Sequence, residues 1–81
     1  MGVEIVSGDG EYPPASQQPL ELLCNEDLNP SSFMFCIYTD ETTPGHACSI
    51  WFNPTKKCVM TSGVKGRTFR WVVFAPMPLP N

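Results

Sequence analysis

The chain has 81 residues, a net charge of −3 and four cysteines. That is enough for one small domain, which buries only about 60–65% of its unfolded surface and usually needs a covalent or metal staple. No apolar run approaches the roughly 20 residues of a membrane-spanning helix. All eight acids (Glu4, Asp9, Glu11, Glu21, Glu26, Asp27, Asp40, Glu41) precede residue 42, and all five bases (Lys56, Lys57, Lys65, Arg67, Arg70) lie between 56 and 70. Such a split means either a basic binding face or two halves that pack together and neutralise each other. The second expectation is the simpler one.

Residues 1–6 (MGVEIV) suit a short strand. They lack the basic start and long apolar run of a signal peptide, so a secreted chain would have lost its leader, with Met1 no part of the mature protein. Residues 7–19 (SGDGEYPPASQQP) are rich in turn formers and read as a loop or arm. Pro19–Cys24 suits one helical turn or a short strand. Residues 25–32 are turn-like. Phe33–Thr39 is aromatic and β-branched and bounded by turn residues, which predicts a buried strand.

Residues 40–46 (DETTPGH) form a loop, and Ala47–Phe52 the next strand. Asn53-Pro54-Thr55-Lys56 has asparagine and proline where a turn wants them. Lys57–Thr61 returns as the hairpin partner, Ser62–Gly66 turns again, and Arg67–Ala75 is the clearest strand. In it Phe69, Trp71 and Val73 share one face, and Arg70, Val72 and Phe74 the other. The tail, Pro76–Asn81, alternates prolines and suits an extended, polyproline-like end. The expected organisation is a strand and arm over 1–19, a stapled β domain over 20–75 and a tail over 76–81. The fold class is small, disulfide-rich and mainly β: an antiparallel meander or small sandwich of four or five short strands, with at most one short helix.

An even cysteine count in a short chain reads as two disulfides and an oxidising compartment. Cys24, Cys36, Cys48 and Cys58 lack the close ligand pairs of a zinc site, and only His46 and Cys48 are near neighbours. No metal or cofactor is expected. A turn at Asn53–Lys56 sets Phe52 against Lys57 and Trp51 against Cys58. Cys48 then points away from Cys58, or lies beyond the roughly 7 Å that a disulfide spans. Two patterns remain: Cys24–Cys58 with Cys36–Cys48, or Cys24–Cys48 with Cys36–Cys58. The first is preferred, since closing the loop from 24 to 58 stabilises by roughly 3–4 kcal/mol in the chain-entropy model.

No catalytic pattern emerges. Asn29-Pro30-Ser31 and Asn53-Pro54-Thr55 are barred from N-glycosylation by their prolines and read as turn residues. His46 follows Pro44-Gly45 in a loop, beside a cysteine expected to be bonded. Asp40 and Glu41 diverge if extended, which gives no glycosidase pair. Asp9-Gly10-Glu11 lacks the other ligands of a calcium loop. The most suggestive constellation is aromatic and basic: Trp51, Lys56, Lys57, Lys65, Arg67 and Arg70, with Phe52, Phe69 and Trp71 nearby. Such faces hold sugars, nucleic acid or acidic protein surfaces, although aromatics in so small a chain are needed for the core. Five cations in an acidic chain argue against nucleic acid.

The segment Ala47-Cys48-Ser49-Ile50-Trp51-Phe52-Asn53-Pro54-Thr55-Lys56-Lys57-Cys58-Val59-Met60 resembles the hairpin of PAN/apple modules: cysteine, a hydrophobic-aromatic pair, Asn-Pro, a lysine-rich turn and a second cysteine. That resemblance implies a secreted, non-enzymatic module that binds proteins or carbohydrates, and a nested disulfide pairing. A short, four-cysteine, β-rich chain also looks, more loosely, like the small effectors that fungal pathogens export into plant hosts. The expectation is therefore a secreted, monomeric, non-enzymatic binding module for a protein or carbohydrate, or alternatively an effector or toxin-like protein acting on a host target. Its recognition surface would involve the 49–57 hairpin and the basic 65–70 segment.

Overall fold

The computed structural model describes residues 3–15, 18–29 and 31–76. Six strands run through them: β1 (Val3–Glu11), β2 (Leu20–Cys24), β3 (Phe33–Tyr38), β4 (Trp51–Asn53), β5 (Cys58–Thr61) and β6 (Thr68–Pro76). They form two three-stranded antiparallel sheets, ordered β1-β6-β3 and β2-β5-β4. The described residues contain no helix, so Leu20–Cys24 resolves as a strand, with Pro19 just before it. The strand order is not that of a meander, because the long C-terminal strand sits between two strands from the first half of the chain. Of the tail expected over 76–81, residues 77–81 lie outside the described residues.

Phe69, Trp71 and Val73 share one face of β6, as expected from alternation, and that face is the inner one. The inner side of β3 supplies Met34, Cys36 and Tyr38. From the other sheet, Val59, Leu22 and Phe52 meet them, joined by Ile50 from the segment just before β4. Phe69, Val59, Val73 and Cys36 are at most 1% exposed, and Trp71 packs against both halves of this core. Leu28, from the loop after β2, plugs one end beside Val59 and Val73. A bulge between Glu21 and Leu23 lets both Leu22 and Leu23 reach the core, since the extra residue breaks strict alternation.

Three expectations are corrected here. Ser7–Glu11, read as loop, continue β1 in unbroken register with β6. Ala47–Phe52 is not one strand. Ala47 bridges to Ile37 at the outer edge of β3, and the chain crosses to the other sheet only at Trp51. The turn begins one residue later than expected, so each partner moves by two, with Asn53 facing Cys58 and Phe52 facing Val59. Residues 54–57 form the turn because Lys57 adopts a φ of 56°, a left-handed conformation that lets it close the loop. Asn53 Oδ1 accepts hydrogen bonds from the N–H groups of Thr55 (3.0 Å) and Lys56 (3.2 Å). Asn29 Oδ1 accepts likewise from Ser31 N–H at 2.9 Å. Both asparagines are thus turn residues, as their sequence context indicates.

The disulfides are Cys24–Cys58 and Cys36–Cys48, the preferred pattern. The first joins register partners of β2 and β5. The second ties the segment carrying Ala47 to β3. In that segment Tyr38 N–H donates to His46 O (2.8 Å) and Cys48 N–H to Cys36 O (2.9 Å).

Candidate functional site

The acidic and basic halves neutralise each other. The ion pairs among the described residues are Glu21–Lys56, Asp9–Arg70 and Asp40–Arg67, and each joins an acid of the first half to a base of the second. The sheet order favours this, because β6 lies between β1 and β3, and β5 beside β2, all three from the acidic half.

The six residues expected to form a binding surface are dispersed. Trp51 lies on the outer face of the β2-β5-β4 sheet, 37% exposed, beside its register partner Met60. Lys56 reaches Glu21 across the same face at 3.3 Å. Lys57 and Lys65 occupy turns. Arg70 projects from the opposite side of the sandwich and pairs with Asp9 at 2.8 Å. Arg67 is partly buried. Its guanidinium lies 3.9 Å from the centroid of the Tyr38 ring, donates from Nη2 to Asp40 Oδ1 at 3.0 Å, and also bonds Thr43 Oγ1. That guanidinium holds the Asp40 carboxyl at about 2 rather than 3.8. Partial burial works in the other direction, and the N–H groups of Thr43 and Thr42 add to the lowering. Asp40 in turn raises Arg67. This cluster fastens the 40–46 loop to β6 and spends its charges internally.

All four cysteine sulfurs are bonded, so the thiolates that zinc or a Cys48–His46 pair would require are absent. Glu21 stands close to the Cys24 and Cys58 sulfurs, but these are bonded to each other and leave a single carboxylate. Asp9, Gly10 and Glu11 lie extended in β1 rather than curled as a cation loop.

The feature that sequence reasoning missed is the outer face of the β1-β6-β3 sheet. With Met34, Cys36 and Tyr38 turned inward, Phe33, Phe35 and Ile37 point outward, opposite Phe74, Val72 and Arg70 of β6. Phe33 is 61% exposed, Phe35 46% and Phe74 36%. The Phe33 and Phe74 rings lie 5.7 Å apart, tilted by 57°, the spacing of an attractive aromatic pair. Ile37 and Val72 fill the face between them and the Asp9–Arg70 pair at its rim. The signal was present: an apolar run across both faces of an edge strand, in a chain too short to cover both faces. Comparison with known proteins found no matching family model, no matching curated protein and no matching solved structure.

Proposed function

We propose that this chain is a secreted, non-enzymatic module that binds a protein partner through the outer face of the β1-β6-β3 sheet. The observation that supports this reading is the row of Phe33, Phe35 and Phe74, left in water although a small chain has every use for aromatics inside. Contiguous exposed apolar patches rimmed by polar groups mark interaction sites. Burying one such side chain at an interface gains roughly 1.5–3 kcal/mol, and aromatics dominate interface energetics. The aliphatic Ile37 and Val72 beside the rings favour side chains as the complementary surface over sugar rings. The Asp9–Arg70 pair, 69% and 64% exposed, offers one charge of each sign to orient the partner. Two disulfides suit an extracellular location, where small domains depend on them.

The face is small. Three strands about 4.8 Å apart, each contributing some six residues at about 3.3 Å, give roughly 300 Å². A stable interface uses about 800 Å² per partner. The contact is therefore a transient one, so covalent capture is the suitable test. A photo-reactive phenylalanine analogue at Phe33 or Phe35 is expected to crosslink to a partner in the native extracellular medium, while the same analogue at Trp51 gives no such adduct. An adduct formed from Trp51 alone would place recognition on the other sheet and overturn this reading.

A further inference from the structure

A separate surface lies along β1, one of the two edges of the same sheet. The opposite edge, on β3, is partly occupied: the segment around Ala47 bonds to Cys36 and Tyr38. Along β1, no backbone hydrogen bond to the outward side is formed among the described residues. The direction of its polar groups follows from one end. Tyr12 N–H donates to Arg67 O at 3.0 Å and Tyr12 O accepts from Gly66 N–H at 2.8 Å, so Tyr12 bonds toward β6. Alternation then turns the N–H and C=O groups of Gly10, Gly8 and Val6 toward β6, and those of Glu11, Asp9, Ser7, Ile5 and Val3 outward. The β3 side agrees, since Thr39 N–H donates to Thr68 O and the even-numbered Tyr38 and Cys36 face away.

Natural edge strands are blunted by proline, charged side chains (lysine above all), bulges or short length. β1 has nine residues, no proline, no basic residue and no break in its register with β6. We propose that this edge pairs antiparallel with the β1 edge of a second copy of the chain about a two-fold axis at Ser7, joining two three-stranded sheets into one of six strands. The sequence of β1 fits its own reverse in that register. Ser7 meets Ser7, Ile5 meets Asp9 and Val3 meets Glu11, and all of these are residues with outward polar groups. Val6 meets Gly8, and Glu4 meets Gly10. Every acid thus faces an uncharged residue, which matters because like charges directly opposite are destabilising. An axis at Asp9 would set Asp9 against Asp9. An axis at Ser7 pairs every residue from Val3 to Glu11. A second copy is favoured over a foreign strand because β1 meets its own reverse over its full length without setting acid against acid. The pairing also brings two aromatic faces onto one continuous surface, so a partner with two sites would be held with avidity.

Edge pairing buries little area, so the association is weak and depends on concentration. The test is sedimentation equilibrium of the full chain from about 10 μM to about 1 mM, the range in which so small an interface operates. The wild-type mass is expected to rise toward twice the monomer mass across that range. Ser7→Pro removes an N–H that faces outward, so it spares the ladder to β6 while blocking the edge. Ser7→Lys sets two ammonium groups against each other at the axis. Both variants are expected to stay monomeric while keeping the wild-type circular dichroism and both disulfides, and Ser7→Lys serves alone if the proline variant does not fold. Phe33→Ser/Phe35→Ser is expected to dimerise like the wild type, which separates this edge from the aromatic face. A wild type that stays monomeric at the highest concentration, or association unchanged in the folded Ser7 variants, would overturn the proposal.

Discussion

The Phe69 ring lies across the backbone of Gly10, its antiparallel partner on β1: a Cβ at Gly10 would stand 2.7 Å from Phe69 Cζ. Trp71 covers Gly8 in the same way, with Cζ2 at 2.9 Å from such a carbon. The two glycines serve as recesses for two rings of the core rather than as turn residues. Adding a methyl group at Gly10 must displace a ring that is only 1% exposed, and overpacking of that kind costs about 1–3 kcal/mol. Gly10→Ala is therefore expected to lower the denaturant midpoint markedly, with Gly8→Ala close behind. Gly63→Ala, where the nearest atom is 3.7 Å away, is expected to change it little. Equal midpoints for Gly10→Ala and Gly63→Ala would show that the rings do not rest on the strand.

The Asp40–Arg67 pair sets an acid limit on stability. The Asp40 carboxyl titrates at about 2 in the fold and at 3.8 without its partners. A folded value below the unfolded one contributes stability above pH 3.8 that is lost as the pH falls through about 2. Urea midpoints of the wild type are expected to decline over that window, and those of Asp40→Asn to decline less steeply. Parallel profiles would remove the pair from the acid response.

Lys57 is a positive-φ residue without the excuse of being glycine. A left-handed conformation costs a side-chain-bearing residue roughly 1 kcal/mol or somewhat more, of which glycine's extra unfolded freedom returns part. Lys57→Gly is expected to raise stability by up to about 1 kcal/mol, and Lys57→Ile to lower it by at least as much. Thermal melts of the three proteins check the order. A destabilised Lys57→Gly would mean that the lysine side chain matters more than its backbone.

The disulfides differ in the loops they close, with sequence separations of 34 and 12. In the chain-entropy model the longer is worth about 4 kcal/mol and the shorter about 3 kcal/mol. Either is a large share of a small domain's stability of about 5–10 kcal/mol. Cys24→Ser/Cys58→Ser is expected to be the less stable of the two double variants. Peptide mapping of the oxidised wild type should return only the 24–58 and 36–48 links. A 48–58 link would be incompatible with the observed strand register.

Much of this fold could be read from the sequence, and the exceptions share physical causes. β3, β5 and β6 are legible because their β-branched and aromatic runs are bounded by turn residues. Strand alternation narrows the disulfides to two patterns, and loop closure favours the one observed. β1 is hidden because Ser7-Gly8-Asp9-Gly10-Glu11 has the composition of a turn, and only the Phe69 and Trp71 rings sixty residues away explain its glycines. The hairpin turn slides by one residue because nothing local announces that Lys57 takes a positive φ. The aromatic face was read as core because periodicity shows that both faces of β3 are apolar but not that a layer covers only one of them. The charge split allowed a basic surface or mutual neutralisation, and three of the five bases do pair with acids of the first half, as the simpler expectation has it.

The central claim is that recognition belongs to Phe33, Phe35 and Phe74 rather than to the lysine-rich hairpin. Its most direct test is the dissociation constant of the crosslinked partner, once purified, for the wild type, Phe33→Ser/Phe35→Ser and Lys56→Glu/Lys57→Glu, each with both disulfides verified by mass. The aromatic variant is expected to bind at least about tenfold more weakly, as loss of a buried anchor demands. The charge-reversed variant is expected to stay within about twofold of the wild type. The opposite outcome, with binding abolished by charge reversal and untouched by loss of the phenylalanines, would contradict the account and return the site to the hairpin.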